Sequence, residues 1–122
     1  MASILLVEDD VQLRSMLKIV LDRAGHEVQE AGNGKEALEL YTKSPADLIV
    51  TDLVMPDKEG LETIMEFRRS YPDVKIIAMS GGGRTGAQNY LDLAKKFGAD
   101  YIVTKPFSNK EILDGIQIVV PS

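Results

Sequence analysis

The chain has 122 residues, 19 acids against 14 bases, a net charge of −5 and 44% hydrophobic residues, which suits one domain over residues 1–122 with a substantial core. It has no cysteine, so disulfide and thiolate chemistry are excluded, and its single histidine, His26, cannot form a histidine metal cluster and reads as a solvated loop residue. The acidic balance argues against direct nucleic-acid binding, and no run approaches the roughly 18 apolar residues of a membrane span or has the layout of an export leader, so a cytoplasmic protein off the membrane is expected.

The stretch SILLV (Ser3–Val7) is short, continuous and apolar, the pattern of a buried strand. Val11, Leu13, Met16, Leu17, Val20 and Leu21 then recur at helical spacing, with Asp10 placed as N-cap and Gly25 as the stop. EVQEA (Glu27–Ala31) is a weaker, alternating strand, and Asn33 caps a helix carrying Ala37, Leu38 and Tyr41 that ends by Pro45. DLIVTD ending at Asp52 is a third strand, MPDKEG a loop, and Leu61, Ile64, Met65 and Phe67 mark a third helix. VKIIAMS ending at Ser80 is a fourth strand, followed by three glycines and a helix from about Gly86 to Phe97 that Gly98 stops. YIVT is a fifth strand, and a last helix starts at about Asn109. Apolar strands alternating five times with amphipathic helices imply an α/β doubly wound (βα)5 three-layer sandwich. Five strands in a chain this short favour the flavodoxin-like parallel order 2-1-3-4-5 over the Rossmann order.

In such sheets ligands bind outside the carboxyl ends of the strands. Those ends carry Glu8, Asp9 and Asp10 after strand one, Asp52 after strand three, Ser80 after strand four and Lys105 after strand five. Strands one and three are neighbours in that order, so Glu8, Asp9 and Asp52 converge. A carboxylate cluster tolerates its own repulsion when it holds a hard divalent cation, and Mg²⁺ suits a few carboxylates, waters and a phosphate oxygen. Acids also sit at helix N-termini for the sake of the macrodipole, and Asp10 is assigned to that role. Asp52 is then a candidate nucleophile for an aspartyl-phosphate, with Lys105 supplying positive charge and the Ser80 hydroxyl a hydrogen bond.

The blocks ILLVEDD, DLIVTDLVMPDKEG, KIIAMSG and GADYIVTKPF resemble, in this order and spacing, the receiver domain of two-component response regulators, chemotaxis-receiver-like, from about Ser3 to Ile118. The resemblance implies that Asp52 is the phosphoacceptor, charged from a phosphohistidine on a sensor histidine kinase or a phosphotransfer protein. It implies that Glu8 and Asp9 form an acidic pair for Mg²⁺, with Mn²⁺ able to substitute, and that the backbone carbonyl of Val54 is a further metal ligand. Ser80 matches the switch hydroxyl, and Lys105, in a cis Lys105–Pro106 bond, the site lysine. The domain would assist its own phosphorylation and dephosphorylation without being an enzyme in the turnover sense. It would bind a downstream protein, or a second copy, through its fourth helix, fifth strand and last helix.

Two positions depart from the family pattern. The place usually held by an aromatic switch residue, three before the lysine, is Ile102, and the aromatic Tyr101 lies one place earlier, which on a strand is the other face. The last helix contains Gly115 and ends in an apolar IVV, a tail that either packs on the sheet or marks truncation from a longer chain. Rival readings are weaker. GGGRTG (Gly81 to Gly86) fits a dinucleotide fingerprint, but that motif belongs after strand one, where the acids here would repel pyrophosphate. An aspartate-based phosphatase would want a second acid where Val54 stands. A receiver-like binding module that is never phosphorylated would lack the acidic pair, the acceptor or the lysine, and all are present.

Overall fold

The computed structural model describes residues 2–53, 60–81, 95–96 and 98–121. Its five strands are β1 (Ser3–Val7), β2 (Glu27–Ala31), β3 (Leu48–Asp52), β4 (Lys75–Gly81) and β5 (Tyr101–Lys105). They pair in parallel in the order β2-β1-β3-β4-β5, the flavodoxin-like order expected. The helices are α1 (Val11–Arg23), α2 (Gly34–Lys43), α3 (Gly60–Ser70) and a C-terminal helix (Asn109–Val119). Of the helix expected between Gly86 and Phe97, only Lys95 and Lys96 are described, and both are helical. Val54, the rest of the loop before Gly60, and Gly82 and Gly83 lie outside the described residues.

Strand alternation sorts the side chains into two layers. Ile4, Leu6, Leu48, Val50, Ile77, Met79 and Val103 pack with Leu17 and Leu21 of α1 and with Ile112, Ile116 and Val119 of the C-terminal helix. Leu5, Val7, Ile49, Ile76 and Ala78 face the other way, against Ala37 and Tyr41 of α2 and Ile64 and Phe67 of α3. In this second layer Tyr41 meets Phe67 edge-on, with ring centroids 5.4 Å apart, and lies 4.5 Å from Tyr71. Tyr101 packs with the first layer and Ile102 with the second, so the one-residue offset read from the sequence does place them on opposite faces.

Helix ends follow local chemistry. Asp10 accepts from the amides of Gln12 and Leu13, and Asn33 from that of Glu36. Ser108 and Glu111 close a reciprocal capping box that the sequence reading did not pick out. Gly25, at φ 95°, follows α1 as the expected stop. The IVV tail packs: Val119 is buried in the first layer, though Ile118 is 63% exposed. Gly115 sits under the Tyr101 ring, where a Cβ would come within 2.6 Å of Cε2, so glycine is what lets the helix lie this close to β5.

Val11 and Met16 lie in α1, as their spacing implies, but off its buried stripe; they are 61% and 54% exposed, because the sheet covers only the side carrying Leu17 and Leu21. One expectation needs correction. His26 is not a solvated loop residue. It is half-buried, its Nδ1 accepts from the Ala2 amide at 3.0 Å, and burial lowers its pKa from the ordinary 6.5.

Arg68, near the end of α3, ties the second layer to the start of β5. Its Nη1 donates to the carbonyls of Pro72 and Val74, each at 2.7 Å, and its Nη2 to the carbonyl of Gly98 at 2.6 Å and to Asp100 Oδ2 at 3.0 Å. The same Asp100 oxygen accepts from the amide of Ile76 at 2.8 Å, so the turn before β5 is pinned to both α3 and β4. Removing the guanidinium leaves several acceptors short of donors. Arg68→Met is expected to lower stability by about 3 kcal/mol in urea unfolding. Arg68→Lys should recover only part of this, because an ammonium lacks the fork that reaches both loops.

Candidate functional site

The parallel register brings the carboxyl ends of β1, β3, β4 and β5 to one edge of the sheet. Asp52 ends β3 opposite Met79, and Ser80, buried at 3% exposure, is the next residue on β4, paired with Thr104. Glu8 follows β1, and its amide bonds the Ala31 carbonyl at 3.0 Å, continuing the ladder to β2. Glu8, Asp52 and Lys105 each extend a strand row that packs with the first layer: Ile4 and Leu6, Leu48 and Val50, Tyr101 and Val103. Alternation thus aims these side chains toward one another before any contact is made.

Carboxylate oxygens of Glu8, Asp9 and Asp52 all lie within 4.8 Å of one another, with Glu8 and Asp52 buried and Asp9 exposed. Asp10 is turned away to cap α1, as expected from the sequence. Lys105 spans the end of β4 to place Nζ 2.9 Å from Glu8 Oε1 and 3.3 Å from Asp52 Oδ1. The Lys105–Pro106 bond is cis. Glu8 is only 1% exposed, so burial raises its pKa above the ordinary 4.5; the neighbouring Asp52 charge adds to the rise, and Lys105 opposes it without cancelling it. Desolvation by itself would lower the Lys105 pKa, but the hydrogen bond to Glu8 and the charges of Asp52 and Glu8 outweigh it and hold the ammonium above its ordinary 10.5.

Two further residues shape the site, and the sequence reading passed over both. Gly60 opens α3 with its amide on the Leu53 carbonyl at 2.8 Å, and a Cβ there would fall 2.1 Å from the Asp52 carbonyl oxygen. Only a glycine lets the chain fold back onto the Asp52 backbone at this point. The signal was a glycine eight residues after the strand-ending acid, read simply as loop. Arg14, on the first turn of α1, donates from Nη1 to the Glu8 carbonyl at 2.8 Å. Its signal was a cation one helical turn after the Asp10 cap, where it faces strand ends. Val54 and the glycines after Gly81 lie outside the described residues, and Ile102 is half-buried in the second layer, away from the carboxylates.

The family model for the response regulator receiver domain matches residues 4–117. The chain belongs to this family. The receiver is 35% identical to the chemotaxis protein CheY of Thermotoga maritima over 117 residues, covering 95% of each chain. It is 39% identical to the DNA-binding transcriptional regulator NtrC of Azospirillum brasilense over 119 residues, but spans only 24% of that longer protein. Among solved structures, CheY4 of Vibrio cholerae superposes with a TM-score of 0.89 at 30% identity, covering 98% of this chain and 99% of that one. Receivers are phosphoacceptor signalling domains of two-component phosphorelays, work with histidine kinases and downstream effectors, and typically bind Mg²⁺. Among the described residues no helix is long and apolar enough to cross a membrane.

The ion pairs make a pH-dependent prediction. Glu8 has a raised folded pKa, so its contribution to stability is full below the ordinary 4.5 and is lost as pH rises through the folded value. Lys105 limits that loss by pairing the ionised form. Lys105→Met is therefore expected to cost roughly 3 kcal/mol near pH 7.5, where the buried Glu8 and Asp52 lose their shared ammonium, and less near pH 5, the side toward which the raised Glu8 pKa moves its protonation. Urea unfolding without metal at the two pH values checks this; an equal cost at both would contradict the assignment.

Proposed function

We propose that Asp52 is the phosphoacceptor of this receiver, charged from a phosphohistidine on a sensor kinase or phosphotransfer protein, and that phosphorylation switches protein binding. The observation that carries the reading is Lys105 Nζ lying between Glu8 and Asp52 at the edge where three carboxylates converge. The donor set suits Mg²⁺, which takes a few hard carboxylate oxygens and completes its shell with waters and a phosphoryl oxygen. Glu8, Asp9 and Asp52 would hold the ion, with the Val54 carbonyl as a further ligand. When bound, the cation supplies neutralisation of phosphoryl charge.

An Asp52 carboxylate oxygen attacks the phosphorus in line. The phosphorus–nitrogen bond breaks, its electron pair returns to the imidazole, and an acyl phosphate forms. Lys105, already 3.3 Å from Asp52, shifts its ammonium toward a phosphoryl oxygen, and the Ser80 hydroxyl donates a hydrogen bond to another. Because Lys105 hydrogen-bonds Glu8 at 2.9 Å, moving that lysine toward the phosphoryl group leaves the buried Glu8 needing another positive partner, which the cation would supply. Metal binding and phosphorylation are thereby coupled. The chain is taken as one receiver over residues 1–122, acting in the cytoplasm, with no direct contact to nucleic acid or membrane of its own.

Incubation with a small acyl phosphate and Mg²⁺ is expected to add one phosphoryl group by intact mass, labile to hydroxylamine. Asp52→Asn should abolish the addition while leaving the fold unchanged by circular dichroism. Labelling of that variant at the wild-type rate would overturn the assignment.

The signal is expected to leave through the helix before β5, β5 itself and the C-terminal helix. Ile102 has no polar tip to exchange between solvent and core, so backbone and helix displacement must carry the change. Tyr101 faces the other layer, seated on Gly115, and is not the switch. Ser80→Ala should shrink the phosphorylation-induced amide shifts in the C-terminal helix without preventing phosphorylation. Tyr101→Ala should leave most of that response in place in a folded protein.

A further inference from the structure

We propose that Arg14 is a positioning residue for the divalent-cation site, fixing the main chain from which Glu8 and Asp9 present their carboxylates. This rests on the reading of Glu8, Asp9 and Asp52 as the cation's ligands. Arg14 begins from a firm base: its own amide bonds the Asp10 carbonyl at 2.9 Å. From there Nη1 donates to the Glu8 carbonyl at 2.8 Å, while Nε lies 3.3 Å from Glu30 Oε1 on β2. Gly32 leaves space for the guanidinium, since a Cβ there would stand 3.3 Å from Nη1. Gly32 is itself held by a 2.6 Å bond from its amide to Glu36 Oε1.

With this contact, Glu8 is fixed at every polar group. Its amide bonds Ala31, Oε1 accepts from Lys105, Oε2 accepts from the Asp10 amide at 3.2 Å, and its carbonyl accepts from Arg14. The carbonyl matters most for Asp9. The Glu8 C=O and the Asp9 N–H belong to one planar peptide unit, so the bond that orients the first sets the plane from which the Asp9 Cα departs. Asp9 is the exposed member of the cluster, and this restraint acts directly on the peptide that leads into it.

Positioning and plain electrostatics predict opposite signs. Arg14 is a cation close to an acidic cluster. If charge alone mattered, removing it would tighten Mg²⁺ binding. If orientation matters, removing it weakens binding, by an amount comparable to other groups that orient metal ligands from behind, about tenfold. Arg14→Lys separates the two further, since it keeps the charge but loses the fork that joins the Glu8 carbonyl to Glu30.

The test is an amide NMR titration with MgCl₂ on unphosphorylated wild type, Arg14→Met and Arg14→Lys, with Asp9→Ala as the loss-of-site benchmark. Thermal unfolding in chelator establishes that each variant is folded at the titration temperature. The expected result is about tenfold weaker Mg²⁺ binding in Arg14→Met and a several-fold weakening in Arg14→Lys. Wild-type or tighter affinity in Arg14→Met overturns the proposal while leaving the cation site itself intact. Should Arg14→Met not fold, unchanged affinity in Arg14→Lys overturns it. No Mg²⁺ response in the wild type overturns the reading of the site, and the proposal with it.

Discussion

Taking a carboxylate out of water is among the most expensive things a fold can do, and this one buries two at the same sheet edge with a third beside them. Among the described residues, the ammonium of Lys105 stands against Glu8 and Asp52 together. The architecture is what makes that possible. A parallel order with β1 and β3 adjacent sets the acids side by side, and β5, two strands further on, supplies the lysine from across the end of β4. An antiparallel neighbour would have turned one of these termini to the opposite edge. The hydrophobic layers beneath hold the strands in the register on which the charge arrangement depends.

Burial at this edge outweighs the help that Lys105 gives Glu8. Lys105 does not bring the Glu8 pKa back to its ordinary value, so the buried edge retains an appetite for positive charge. A proton meets it at low pH. On the proposed reading a divalent cation would meet it at neutral pH, from the side where Asp9 is exposed. On the same reading an arriving phosphoryl group would find the Lys105 ammonium already beside Asp52. Preorganised charge of this kind requires little rearrangement at the moment of transfer.

Most of this could be read from the residues in order. Apolar runs of strand length bounded by amphipathic helices fixed the layer architecture, because buried parallel strands have no polar face to disguise them. Acids, a serine and a lysine each followed such a run, and that repetition pointed to one edge. Asp10 was correctly separated from its two acidic neighbours because a cap has a positional signature. What stayed hidden depended on three-dimensional proximity. Nothing in the spacing of α1 distinguishes Met16 from Leu17 as the buried residue, since both lie within one apolar arc. His26 was misread because its partner is the Ala2 amide, distant in sequence. Arg14 and Gly60 escaped notice because the contacts they make at the site are to the main chain of Glu8 and of Asp52 and Leu53, whose residue types announce no such partner.

The seat of Tyr101 on Gly115 has a consequence for how this sequence can change. Glycine inside a helix is ordinarily an opportunity, since alanine restricts the unfolded chain and favours the helix by up to about 1 kcal/mol. Here a methyl group would enter the space of an aromatic ring that fills the gap between β5 and the C-terminal helix. The ring alone, made small, would leave a void over a bare backbone. Neither position is therefore free to drift by itself: the two residues form one lock with a single key, and any descendant of this chain that alters one inherits pressure to alter the other.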